Sequence, residues 1–145
     1  TTPVDAVATT TPYGNFEDPF NLPYLADSVG AVYVARWTTY HVMQLTRAIK
    51  EVIQKKGFSF LEIISPCPTL YGRRNKIGDG LEMMKYYKEN SEIRNGANTK
   101  DVAIGFKGPI ICGKFVDRER PTFLENMNQK LSERIPNYKP YNGLV

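Results

Sequence analysis

The chain reads as an α/β domain with a parallel βαβ unit at its centre. Two short apolar runs, residues 31–35 and 58–64, flank a segment whose apolar residues recur at helical spacing, and the joints between them are tight. Further along, two capping-box pairs each open an amphipathic stretch, which adds helices after the unit.

The first run, Ala31-Val32-Tyr33-Val34-Ala35, is rich in strand formers and predicts a buried strand. Thr38 or Thr39 is the expected cap of the helix that follows. Val42, Met43, Leu45, Ala48, Ile49, Val52 and Ile53 form its apolar series, and Lys55-Lys56-Gly57 makes a favourable C-terminus. Phe58 to Ile64 predicts the second strand, parallel to the first, because a helical crossover returns the chain in the same direction. Ahead of the unit, Thr9-Thr10-Thr11-Pro12-Tyr13-Gly14-Asn15 is turn chemistry, and a short helix is expected over 23–29, ended by Gly30.

Beyond the unit, Asp79 with Glu82 predicts a helix start, with Leu81, Met84 and Tyr87 on one face. Residues 91–100 are polar and loop-like. Short strands are expected over 102–106 and 109–116, around Lys107-Gly108. Thr122 with Glu125 starts a last helix carrying Phe123, Leu124, Met127, Leu131 and Ile135. Residues 1–136 are expected to form one domain and 137–145 a tail.

Composition narrows the class. The chain has 145 residues, 41% hydrophobic and 23% charged, which suits a globular domain with a real core. No apolar run approaches the ~18 residues of a membrane span. A net charge of +4, spread along the chain, suits an acidic protein partner and gives no argument for nucleic acid. With only two cysteines, far apart, a disulfide scaffold is not expected, and a reducing cytoplasm is the expected compartment. The chain opens on Thr1 rather than Met and reads as processed or as a piece of something longer.

Ligands in parallel α/β sheets bind beyond the carboxyl ends of the strands. Arg36-Trp37-Thr38-Thr39 follows the first run and Ser65-Pro66-Cys67-Pro68 the second, so both are expected at one edge. A cysteine between two prolines sits in a stiff loop that aims its sulfur, which suits a metal ligand; a small buried hydrophobe is the plainer alternative. Arg36 is the anion candidate by position, with a structural salt bridge as the competing role. Arg73, Arg74 and Lys76 form a basic loop near Cys67, read either as a solvated face or as an anchor for an anion. Gly78-Asp79-Gly80 imitates a thiamine diphosphate motif, but no apolar strand precedes it and Asp79 is better used as a helix cap. His41 is expected to pack or hydrogen-bond, and Cys112 to lie in the core.

Three stretches carry a family resemblance: Ala35-Arg36-Trp37-Thr38-Thr39-Tyr40-His41 with Lys56-Gly57-Phe58-Ser59-Phe60; Ser65 through Asn75; and the opening Thr1-Thr2-Pro3. Together they resemble the C-terminal half of the β subunit of 2-oxoacid:ferredoxin oxidoreductases, most closely the 2-oxoglutarate type. The resemblance implies part of a thiamine-diphosphate-binding-type fold, in an enzyme that decarboxylates a 2-oxoacid on thiamine diphosphate with Mg²⁺. It implies that electrons leave through a [4Fe-4S] cluster to ferredoxin and that coenzyme A takes the acyl group. Cys67 then matches the fourth cluster cysteine. Thr1, Thr2 and Arg36 become cofactor-side candidates, and Arg73, Arg74 and Lys76 candidates for holding ferredoxin or coenzyme A. The implied partners are an α subunit and the N-terminal half of the β subunit, which would carry the remaining cysteines and the diphosphate and Mg²⁺ ligands. Without that half the chain is expected to be inactive. A non-catalytic interaction module derived from the subunit is the alternative.

Overall fold

A computed structural model describes residues 2–143. The central unit follows the sequence pattern. Strand β1 (Tyr33–Thr38) and strand β2 (Ser59–Ile64) are parallel, paired from Tyr33↔Ser59 to Thr38↔Ile64, and helix α2 (Val42–Gln54) crosses between them. Ahead of β1 lies helix α1 (Leu22–Ser28), capped by the Asn21 side chain and released by Gly30 at φ +89. Helix α3 (Gly80–Asn90) opens on the expected capping box: Asp79 accepts from the Leu81 and Glu82 amides at 2.8 and 2.9 Å, and Glu82 reaches back to the Asp79 amide at 2.8 Å. Helix α4 (Phe123–Arg134) opens on the Thr122–Glu125 box.

The sheet has four strands in the order β2-β1-β4-β3, with β3 at Ser91–Ile93 and β4 at Ile110–Asp117. Strand β4 runs antiparallel to β1, with a register shift between Val34 and Ala35, and β3 runs parallel to β4. Side chains alternate across the sheet. Val34, Ile111 and Val116 pack with Ala26 on one face; Tyr33, Ala35, Trp37 and Cys112 pack with Ala48 and Tyr87 on the other. Every residue of β1 is buried, as a strand covered on both faces should be.

Two sequence expectations need correction, over residues 91–106 and at the α2 cap, and two helices that form as expected bury little of their apolar series. Residues 102–106 form no strand; the place beside β4 is taken by 91–93, which the polar composition had assigned to a loop. The Val102 carbonyl, instead of joining a ladder, accepts a hydrogen bond from Arg36 at 2.5 Å. Neither Thr38 nor Thr39 caps α2. Its N-cap is His41, with no side-chain cap bond, while the Thr38 hydroxyl meets His41 Nδ1 at 2.8 Å and Thr39 turns to Met84 Sδ at 3.6 Å. The apolar series of α2 is only half used: Leu45, Ala48 and Val52 face the core, whereas Met43 is 76% and Ile53 77% exposed. Finally, α4 buries none of its residues, and Phe123 is 84% exposed. That helix is held to the body through Lys56–Glu125 at 2.9 Å, and the chain beyond it folds back so that Asn128 bonds Tyr138 and Tyr141.

Candidate functional site

The Cys67 loop leaves the carboxyl end of β2 and tightens at once into a single π-helical turn, Pro68–Gly72. Proline at the first helical position suits this start, because its missing N–H would have had no intrahelical partner. Gly72 closes the turn, its amide donating to the Cys67 carbonyl at 2.8 Å. A Cβ at Gly72 would stand 2.8 Å from the Gly78 carbonyl and 3.0 Å from Met83 Sδ, so only glycine lets the turn lie against the start of α3. The residue at the head of this turn, Cys67, is exposed. Hydrogen bonding from the backbone of Tyr71 and then of Leu70, with the Thr69 side chain, holds the thiol below its usual range. Cys67 thus presents an exposed thiol at the head of the turn.

Asn75 locks this loop to the start of the chain. Its Oδ1 accepts from the Val7 amide at 2.7 Å, and its Nδ2 donates to the carbonyls of Val7 and Tyr71, both at 2.9 Å. The opening segment is further tied by Asn15, whose Nδ2 donates to the Thr2 carbonyl at 2.7 Å. These ties bring Thr2 and Cys67 to the same cavity, about 370 Å³ in volume. Its walls are Ile64, Tyr71, Met83, Tyr86, Tyr87, Ile104 and Ile110, with Ser65 and Lys107 among its polar members. Burial, then the neighbouring phenols and Cys67, pushes the Tyr87 hydroxyl up to about 12. Tyr71 and Tyr86 are raised as well, mainly by burial. The cavity is an apolar cleft with one nucleophilic sulfur and one lysine at its border.

Other candidates fall elsewhere. Thr1 lies outside the described residues. Arg36 is not on a loop after β1 but within the strand, 1% exposed. Its Nε meets Glu62 at 2.6 Å, and its Nη1 donates to the Val102 and Ile111 carbonyls at 2.5 and 3.3 Å. That is the salt-bridge role: the guanidinium ties β1 to β2, β4 and the segment before β4. Of the basic loop, Arg73 and Lys76 share a second cleft with Thr69 and Asp79, about 450 Å³ in volume. Arg74 leaves them and donates to the Ala8 carbonyl at 3.4 Å. His41 is 8% exposed, lies beside Trp37 and Tyr40, and is lowered by burial, as a packed histidine should be. Cys112 is fully buried and its thiol is pushed up by desolvation.

Sequence reading missed Lys107, Ile104 and the tyrosine wall, and it undervalued Asn75. Only one local signal pointed there: Lys107 beside Gly108 marked a turn, and its φ is +53.

Among the described residues no three His, Cys, Asp or Glu side chains gather closely enough to hold a metal ion.

Residues 1–63 match the family model of the thiamine pyrophosphate enzyme C-terminal TPP-binding domain. The resemblance narrows further to the C-terminal half of a 2-oxoacid:ferredoxin oxidoreductase β subunit. The 2-oxoglutarate synthase subunit KorB of Methanocaldococcus jannaschii is 48% identical over 136 residues, covering 93% of this chain and 49% of the relative. A 2-oxoacid:ferredoxin oxidoreductase subunit beta from Sulfolobus sp is 40% identical over 146 residues, covering 92% of this chain and 47% of the relative. In three dimensions the chain superposes on a 2-oxoglutarate:ferredoxin oxidoreductase from Magnetococcus marinus with a TM-score of 0.69. That match has 24% identity and covers 98% of this chain and 48% of that one, which shows the fold. The chain thus spans about half the length of the curated relatives it matches. No helix among the described residues is long and apolar enough to cross a membrane.

Proposed function

We propose that this chain serves as the C-terminal part of the β subunit of a 2-oxoacid:ferredoxin oxidoreductase, of the 2-oxoglutarate type, and that Cys67 gives one thiolate to its [4Fe-4S] cluster. The observation that carries the reading is the exposed Cys67 sulfur at the head of a π-helical turn, held toward the thiolate by the Tyr71 and Leu70 amides. Iron–sulfur clusters are held by anionic, polarisable sulfur, and those same N–H donors would tune a bound cluster. A non-catalytic module would have no use for an exposed thiol held at the head of a rigid turn.

Thiamine diphosphate with Mg²⁺, when bound, supplies the stabilised carbanion needed to decarboxylate a 2-oxoacid. What this chain adds is a wall. Thr2 sits at the border of the cavity, Ile64, Ile104, Met83 and the tyrosines keep water from it, and Lys107 offers a cation. Arg73 and Lys76, on the neighbouring cleft, are placed to hold an anionic portion of coenzyme A or an acidic face of ferredoxin. Arg36 acts through the strands that it ties and so positions this edge. The partners in this reading are an α subunit, the N-terminal half of the β subunit and ferredoxin, in the cytoplasm.

The test is made on the assembled enzyme purified without oxygen. Cys67→Ala should lose the cluster, degrade it to a smaller form or leave it labile to oxygen, read by iron content, visible absorption and EPR of the reduced complex. Cys112→Ala should keep it. An unchanged cluster in the Cys67→Ala complex would refute the assignment.

A further inference from the structure

Trp37, the only tryptophan of the chain, carries a hydrogen that nothing receives. It lies in β1 at 6% exposure, packed with Tyr33, Ala35, Ala48 and Cys112. Its Nε1 is buried and has no hydrogen-bond partner among the described residues. The ring beside it, His41, has its Nδ1 engaged with the Thr38 hydroxyl at 2.8 Å. Buried indole N–H groups normally find an acceptor, and an unmatched one is unfavourable.

The indole lines a cavity of about 440 Å³, walled by α2, β4 and the end of β3. This cavity shares no lining residue with the one at Cys67. Helix α2 contributes Gln44, Arg47 and Glu51 along one face. Glu51 and Lys114 answer each other in place. Lys114 Nζ meets Glu51 at 3.3 Å and Asp117 at 2.7 Å, and Glu51 also accepts from the Tyr33 hydroxyl at 2.9 Å. The Lys114 amide donates to Asn95 Oδ1 at 3.0 Å, so the Asn95 Nδ2 is the half left over. Gln44 and Arg47 make no hydrogen bond or ion pair among the described residues. The carboxylate lining this cavity is thus engaged, while donors are in excess: an indole, two amides and a guanidinium with an uncompensated charge.

We infer that this cavity binds a small monocarboxylate. Arg47 pairs with the carboxylate, the Trp37 Nε1–H and the Gln44 and Asn95 amides donate to it, and its hydrocarbon part lies against Ala48 and Ile93. The planar fork of a guanidinium matches the two oxygens of a carboxylate. A second carboxylate would meet Glu51 with no free cation to answer it, which selects against dicarboxylates. Arg47 is exposed and Gln44 half-buried, and with neither held by a bond they can turn to admit the anion beside the indole. The inference stands on this cavity alone and is independent of the role given to Cys67.

The probe is butyrate, compared at matched ionic strength with succinate, the dicarboxylate of equal carbon number, and with phosphate and chloride. A ¹⁵N-labelled sample of the chain gives a single indole Nε1–H resonance, because Trp37 is the only tryptophan. Butyrate should move that proton downfield in a saturable way, with a midpoint on the order of 1 mM. Succinate, phosphate and chloride should need about tenfold more, since each lacks part of the match. Arg47→Met should weaken butyrate by about tenfold or more and keep the amide spectrum dispersed, because Arg47 holds nothing in the fold. Arg47→Lys should recover only part of the affinity. A resonance that butyrate leaves in place overturns the site, and so does a response that survives Arg47→Met. Equal movement by all the anions means nonspecific screening, and tighter binding of phosphate or succinate assigns the donors to another ligand; either overturns the monocarboxylate. Exchange cross-peaks from Nε1–H to water, with no response to butyrate, would show that an ordered water meets the donor and would overturn the inference as well.

Discussion

The centre of the sheet and its Cys67 edge are built from the same residue types and behave in opposite ways. At the centre, Cys112 and Arg36 are both sealed, the thiol pushed up by desolvation and the guanidinium shared among Glu62 and two carbonyls. At the edge, Cys67 and Arg73 are exposed, and the Cys67 thiol is held down by amides that no ladder has claimed. The difference teaches that surroundings, and not residue type, decide whether a polar group stabilises the fold or stays available for chemistry. The Cys112 thiol also meets the backbone of Thr38, but burial outweighs that help, whereas at the edge burial is the smaller effect and the backbone of the turn prevails.

The comparison breaks most visibly if the two thiols react alike. Cys112 is reachable only through an opening that costs much of the global stability, and ~5 kcal/mol of opening corresponds to roughly four orders of magnitude. With iodoacetamide under native conditions, Cys67 should therefore outpace Cys112 by about 10⁴-fold. The pH profile of Cys67 alkylation sharpens the point. A lowered thiol pKa means that the thiolate persists to lower pH, so the inflection should fall below the ordinary value of 9.0. Equal rates for the two cysteines would show that the loop is closed or the core open.

A smaller effect probes the centre. Arg36→Leu strands Glu62, whose side chain is 14% exposed, and should destabilise the fold by about 3–5 kcal/mol in urea denaturation. Replacing both partners with apolar residues should recover much of that loss, since no charge is then left unpaired. A loss below ~1 kcal/mol would make Arg36 a surface-like pair, free for other duties.

The smallest effect belongs to the edge. Asn75→Ala removes both hydrogen bonds to Val7 and should cost about 1–3 kcal/mol, most of it as loosening of the opening segment against the Cys67 turn. Limited proteolysis near Thr9–Thr11 should accelerate in this variant, with the midpoint of global unfolding shifted only modestly. Unchanged cleavage would mean that Asn15 alone holds Thr2 at the cavity.

Much of this was legible in the residues because it rests on short-range rules. A capping box closes within three residues, a helix declares itself by period, and a βαβ unit follows from two apolar runs around one helix. Asp79, Thr122, α2 and the parallel pair β1–β2 all came from such signals, and the Pro-Cys-Pro loop marked Cys67. What tertiary structure alone decided was pairing at a distance. It swallowed Arg36 because Glu62 and the Val102 and Ile111 carbonyls converge on one point in the sheet. It brought Thr2 to Cys67 through Asn75, and it gave the place beside β4 to residues 91–93. It also left the outer stripe of α2, the apolar side of α4 and the edge of β2 uncovered. The physical reason is the same throughout: a sequence encodes which side chains want burial or a partner, whereas the chain segments available in space determine which of them receive one.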